Sequence, residues 1–89
     1  MKLDAELKTQ AAPALIEALQ GKIGESIEID ASEVRFLGGA CLQALLSATE
    51  SGRAAGGPIT IVDASDSFLA DVETLGALDL LNIQRREPA

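Results

Sequence analysis

The sequence predicts one α/β domain on a mostly parallel sheet of about four strands, with three or more helices. Two patterns take turns along the 89 residues. In some stretches apolar and polar residues alternate, the period of a half-buried strand; in others apolar residues recur every three or four, the period of a helix lying on a core. Hydrophobic residues make up 47% of the chain and aromatic residues only 2%. The core is therefore packed from Leu, Ile, Val and Ala, which suits helices on a small sheet.

The first strand is residues 2–8, Lys2-Leu3-Asp4-Ala5-Glu6-Leu7-Lys8, with Leu3, Ala5 and Leu7 inward. Residues 10–20 form the first helix, with Thr9 as its N-cap and Pro13 in the first turn, where proline is tolerated. Leu15, Ile16, Leu19 and the alanines give its buried side. Gly21 and Gly24 break the chain before the second strand, Ser26-Ile27-Glu28-Ile29-Asp30, in which Ile27 and Ile29 point inward and Glu28 outward. A loop leads to a helix over residues 40–55 that buries Leu42, Leu45, Leu46 and Thr49, and Gly56-Gly57-Pro58 ends it.

Ile59-Thr60-Ile61-Val62 is a β-branched strand, and Asp63-Ala64-Ser65-Asp66 supplies capping oxygens for a third helix. Its apolar face is Phe68, Leu69, Val72 and Leu75, and Gly76 closes it. Residues 80–86 form a short turn and an edge strand, and residues 85–89 a loose tail. The order is β-α-β-α-β-α-β. Alternation in the first two strands leaves one sheet face more solvated than in a doubly covered fold, a surface on which a homodimer could form.

Composition excludes several functions. A chain of this length forms a single small core, with no second compartment for cofactor and substrate. A net charge of −7 repels phosphate backbones and anionic lipid, so nucleic acid and membrane surfaces are not expected partners. No run approaches a membrane span and no signal peptide is visible, which places the chain in the cytoplasm. Cys41 is the one cysteine and there is no histidine, so neither a disulfide, a zinc site nor a catalytic triad is expected. No metal, no cofactor and no enzymatic activity follow from this reading.

Chemistry-bearing residues cluster where the second strand runs into the second helix, Asp30-Ala31-Ser32-Glu33-Val34-Arg35-Phe36-Leu37-Gly38-Gly39-Ala40-Cys41-Leu42. In a parallel α/β layer this edge carries free backbone N–H groups. The run resembles the hallmark of the STAS domain, the fold of bacterial anti-sigma factor antagonists, which reads Asp-Leu-Ser-x-Val-x-Phe-x-Asp-Ser-Ser/Ala-Gly-Leu. Ala54-Ala55-Gly56-Gly57 resembles that family's helix end, and Leu75-Gly76-Ala77 its Thr-Gly-Leu, so the likeness covers nearly the whole chain. A narrower likeness, through Leu37 to Gln43, is to short STAS proteins found among chemotaxis genes of alphaproteobacteria.

The resemblance implies a non-enzymatic interaction module that docks through Leu37, Gly38, Gly39, Ala40, Cys41 and Gln43. The implied partner is a chemotaxis signalling protein or an anti-sigma factor of the serine-kinase type. In regulated relatives the loop carries an Asp followed by a phosphorylated Ser or Thr; here Gly38, Gly39 and Ala40 hold those places, and the added charge of about −1.5 to −2 has no hydroxyl to sit on. The family also includes STAS subunits of ABC lipid transporters, which bind the ATPase, and small-ligand carriers. With Arg35 as its one basic and Phe36 as its one aromatic residue, the loop run is a poor fit to phosphates and flat rings.

Each of these residues also has a plainer reading. Gly38-Gly39 fits a tight turn that needs positive φ as well as it fits a docking edge. Cys41 falls in a first helical turn, where the dipole lowers a thiol pKa, or it is a small packing residue. Ser32 matches a family serine that bonds nearby backbone, while Ser32, Ser65 and Ser67 are the alternative phosphosites. Asp30, Asp63 and Asp66 form one carboxylate-bearing edge but have turn and capping roles without any enzyme. Glu6, Glu17, Glu28 and Glu50 read as a solvated acidic face that a basic partner could use.

Overall fold

A computed structural model describes residues 1–84. The expected loose tail at 85–89, and the last two residues of the expected edge strand, lie outside the described residues. The elements are β1 (Glu6–Leu7), α1 (Ala12–Gln20), β2 (Ile27–Asp30), β3 (Phe36–Leu37), α2 (Gly39–Ala54), β4 (Ile59–Val62) and α3 (Asp66–Thr74). The fold class is α/β with parallel pairing throughout, but the strands divide into two two-stranded sheets, β1-β3 and β2-β4.

The alternation at residues 2–8 is realised in two pieces. The Leu3 N–H donates to the Asp30 carbonyl at 2.9 Å and the Asp30 N–H to Met1 at 2.7 Å, so the first residues run beside β2. The chain then bends at Ala5, and β1 pairs instead with β3, Glu6 opposite Phe36 and Leu7 opposite Leu37. Leu3 and Leu7 are both buried, while Ala5 at the bend is only half-buried. One strand therefore ties the N-terminus to both sheets.

Between β1 and α1, Thr9–Ala11 form a single 3-10 turn, and the residue before α1 is Ala11, with no side-chain cap. This corrects Thr9 as N-cap: the 3-10 turn separates it from the first α-helical amides. Ala12, Leu15 and Leu19 make the buried stripe at spacings of three and four, and α1 packs on α2. Ile16 is a second correction, since it stands at the margin of that stripe and is 41% exposed.

β2 and β4 run in register, Ile27 opposite Ile59 through Asp30 opposite Val62. Ile29, Ile59 and Ile61 are buried, with α2 packed on β4, while Glu28 is exposed and Thr60 and Val62 are half-buried on the other face. The sheet thus has one covered and one more open side. On the far edge of β4 the Ile61 N–H donates to Asn82 and its carbonyl accepts from Gln84, both at 2.8 Å. The last segment is therefore a one-residue bridge at Ile83 parallel to β4, preceded by a turn.

α2 buries Cys41, Leu42, Ala44, Leu45, Ala48, Thr49 and Gly52. It stops because Gly56 takes φ +81°, the left-handed conformation that ends helices cheaply only for glycine. In α3 the side chain of Ser65 accepts the Phe68 N–H, an N-cap. Phe68 and Val72 are buried and Leu69 is half-buried. Leu75 departs from the expected face: it lies past the last helical turn and is 49% exposed.

Candidate functional site

The loop between β2 and α2 is not a plain turn. Its last residues form β3, a strand of two residues that sequence periodicity could not register because two residues define no period. The Phe36 N–H donates to the Ala5 carbonyl at 3.2 Å and the Gly38 N–H to Leu7 at 2.9 Å. β1 therefore carries the chain up to the first residue of α2. Gly38 is the N-cap, extended at φ −84° and ψ 164°, and no side chain caps the first turn.

This geometry overturns the idea that Gly38-Gly39 serves a positive-φ turn. A Cβ on Gly38 would instead be crowded, 3.1 Å from the Leu7 carbonyl oxygen and 3.3 Å from the Phe36 ring, so that those neighbours would have to give by a few tenths of an ångström. Around Gly39 there is nothing within 4 Å of a Cβ. The helix start is consequently open on the Gly39 side, with uncapped N–H groups and positive partial charge directed outward.

The six residues expected to dock divide by exposure. Gly39 and Gln43 are exposed, and Gly38 and Ala40 are half-buried. Leu37 and Cys41 are buried in the core, so their side chains hold the edge in place from beneath. The Cys41 thiol donates to the Lys8 carbonyl at 3.4 Å, and burial pushes its pKa up. The packing reading of Cys41 is the one that this environment supports, since the thiol is buried and burial disfavours the thiolate.

Two residues at the site were not anticipated. Phe36 projects from β3 beside Gly38 and is 45% exposed. Its place in the loop motif was visible in the sequence, but its side could not be read from two residues of strand. Asp71, on α3, accepts the Leu37 N–H on its Oδ2 at 2.9 Å. No sequence signal links positions 34 residues apart.

The serines and carboxylates occupy structural positions. The Ser65 hydroxyl donates to the Val34 carbonyl at 2.5 Å while accepting the Phe68 N–H at 3.0 Å. The Ser32 N–H donates to Asp30 Oδ1 at 2.8 Å, a local turn in which the Ser32 hydroxyl, then its N–H, hold the Asp30 carboxyl below its ordinary pKa. Ser32 and Ser67 are exposed. Asp63 sits at φ +53° just past β4, and Asp66 lies in the first turn of α3. Among the described residues no group of three or more His, Cys, Asp or Glu could hold a metal ion.

Two cavities lie away from this edge. A cleft of 380 Å³ between β4, α3 and the last segment is lined by Asp63, Leu69, Glu73 and Ile83 among others. A groove of 230 Å³ between α1 and α2 is lined by Ile16, Leu19, Ile23, Ala44 and Ala48 with polar neighbours. Among the described residues no helix is long and apolar enough to cross a membrane.

Residues 1–82 match the family model described as "Mlab, STAS domain". The match spans every element from β1 to α3. No curated protein matches the sequence.

Proposed function

Because this chain belongs to the STAS domain family, we propose that it is a non-enzymatic docking module of bacterial signalling. It presents Phe36, Gly38, Gly39, Ala40 and Gln43 to a protein partner. The observation that carries this reading is the exposed Phe36 ring beside a helix start that no side chain obstructs at Gly39. Aromatic residues are enriched in protein interfaces, and uncapped amides at a helix start favour an acceptor or negative charge on the partner. Leu37 and Cys41 contribute by packing the edge from below.

Gly38, Gly39 and Ala40 lack hydroxyls, so the module docks constitutively and acts by competition or scaffolding. The net charge of −7 favours a partner with a basic surface. We assign the partner to the chemotaxis signalling proteins or the anti-sigma kinases, and the compartment to the cytoplasm.

The test is affinity capture of the tagged protein from its own cells at native level, read by mass spectrometry beside Gly39→Glu. A Cβ at that position meets no atom within 4 Å, so a glutamate can leave the helix there without a clash at its base and cover the open face. A chemotaxis kinase or receptor complex, or an anti-sigma kinase, present with the native protein and lost with the variant is the expected result. Loss of an ABC ATPase instead would assign the same edge to a lipid-transport complex. A full set of partners retained by folded Gly39→Glu would overturn the docking edge.

A further inference from the structure

The docking edge is held from behind by α3. The amides of Phe36 and Gly38 point to β1, donating to Ala5 and Leu7, whereas the Leu37 amide between them is turned to the opposite side. There the Asp71 carboxylate accepts it at 2.9 Å, in a part-buried setting, taking the place that a neighbouring strand's carbonyl would occupy. A second attachment lies at the start of the same helix. The Ser65 N–H donates to Ala31 at 3.0 Å, and its hydroxyl donates to Val34 at 2.5 Å. α3 therefore grips the segment leading into the edge at residues 31 and 34 and again at 37, and it packs on β3.

We infer that Asp71 is a positioning residue of the docking edge: it fixes the strand on which Phe36 is mounted without itself belonging to the docking face. Removing the carboxylate leaves the Leu37 N–H with no partner on that side, and charge-assisted bonds of this kind are among the stronger ones. Phe36 then loses its fixed direction, and the ordering of β3 must be supplied at the moment of docking. This inference rests on the docking reading given above. It names a residue on another element, 34 positions away, on which docking depends.

The experiment is amide hydrogen exchange by NMR on the full chain, comparing native protein, Asp71→Ala and Asp71→Asn. Asparagine keeps an oxygen acceptor of the same reach. The Leu37 amide is expected to be protected in the native protein and in Asp71→Asn. In Asp71→Ala it should exchange about ten- to a hundredfold faster, the weight of one charge-assisted bond, while the amides within α2 keep their protection. A native Leu37 amide exchanging like that of an unstructured peptide overturns the inference, and needs no variant to fold. Unchanged protection in a folded Asp71→Ala does so as well.

Affinity capture separates this inference from the docking reading. Loss of the captured partner in Asp71→Ala with recovery in Asp71→Asn supports the positioning role. Full capture by Asp71→Ala where Gly39→Glu loses the partner overturns the positioning role and leaves the docking edge standing. Full capture by Gly39→Glu overturns the docking edge.

Discussion

Gly38 is pinned against Leu7: its N–H donates to the Leu7 carbonyl at 2.9 Å, and a Cβ on Gly38 would lie 3.1 Å from that same oxygen. Gly39, one residue on, has open space where its Cβ would be. Two glycines that are equivalent in sequence thus differ in what they are for. Gly38→Ala is expected to lower stability by about 1–3 kcal/mol through overpacking. Gly39→Ala, at a helical position, should leave it unchanged or raise it by up to about 1 kcal/mol. Urea unfolding followed by circular dichroism measures both, and equal losses would contradict the assignment.

Ser65 joins α3 to the Ala31–Val34 turn through both its donor and its acceptor. Ser65→Ala should cost about 1–2 kcal/mol, the upper part of the N-cap range, since a carbonyl partner is lost as well. Ser65→Asp keeps the acceptor for Phe68 but not the donor to Val34, and should fall between the two. A phosphate on Ser65 would likewise remove the donor. An alanine variant as stable as the native protein would show that the cap contributes nothing.

The Asp30 carboxyl is held below its ordinary pKa, first by the Ser32 hydroxyl and then by the Ser32 N–H. The unfolded chain therefore binds more protons than the folded one in this window, and stability rises with pH there. The contribution is complete above the unfolded-state value, near pH 3.9, and is lost as pH falls through the lower folded-state value. Asp30→Asn should flatten the acid limb of the stability curve below about pH 4 and leave the neutral range nearly parallel to the native protein. Thermal unfolding across pH 2–6 reads this out, and an unchanged acid limb would remove Asp30 from the account.

Cys41 is fully buried, with a thiol whose pKa burial raises. Labelling by an aromatic disulfide at neutral pH should be slower than for a free thiol by on the order of a hundredfold or more, because it waits on local opening. The rate should rise steeply as urea approaches the unfolding midpoint. Labelling at the rate of small-molecule cysteine would restore the reactive-thiol reading.

What the sequence disclosed was local. Ile27–Asp30, Ile59–Val62 and the stripes through Leu42, Leu45 and Thr49 or through Phe68 and Val72 follow from spacings within one element. Capping oxygens before α3 were legible for the same reason, but that Ser65 is the residue that caps was not. Residues 2–8 read as one strand because their alternation persists through the bend at Ala5, and nothing in it marks the change of partner. Ile16 and Leu75 sit at stripe margins, where an apolar side chain satisfies the period and still meets water.

At the candidate site, the glycines and the helix start were visible, but which of them face outward was not. Burial of Leu37 and Cys41, and the clearance around Gly39, depend on where β1 and α3 come to rest. Gly57 belongs to the same class: a Cβ there would fall 2.4 Å from the Gly24 carbonyl carbon, a contact between two turns that no local pattern encodes. Asp71 reads as one more solvated acid until the fold sets it against Leu37.

The central claim is that the Gly39 face of α2 touches a protein partner. It is tested most directly by placing a photo-crosslinking side chain at Gly39, where a Cβ meets no atom within 4 Å, and at exposed Gln20 at the end of α1 as the comparison. Irradiation in the native cells should give one discrete adduct from position 39 and none from position 20. Adducts of equal yield from both positions, or none from position 39 in a folded protein, would contradict it.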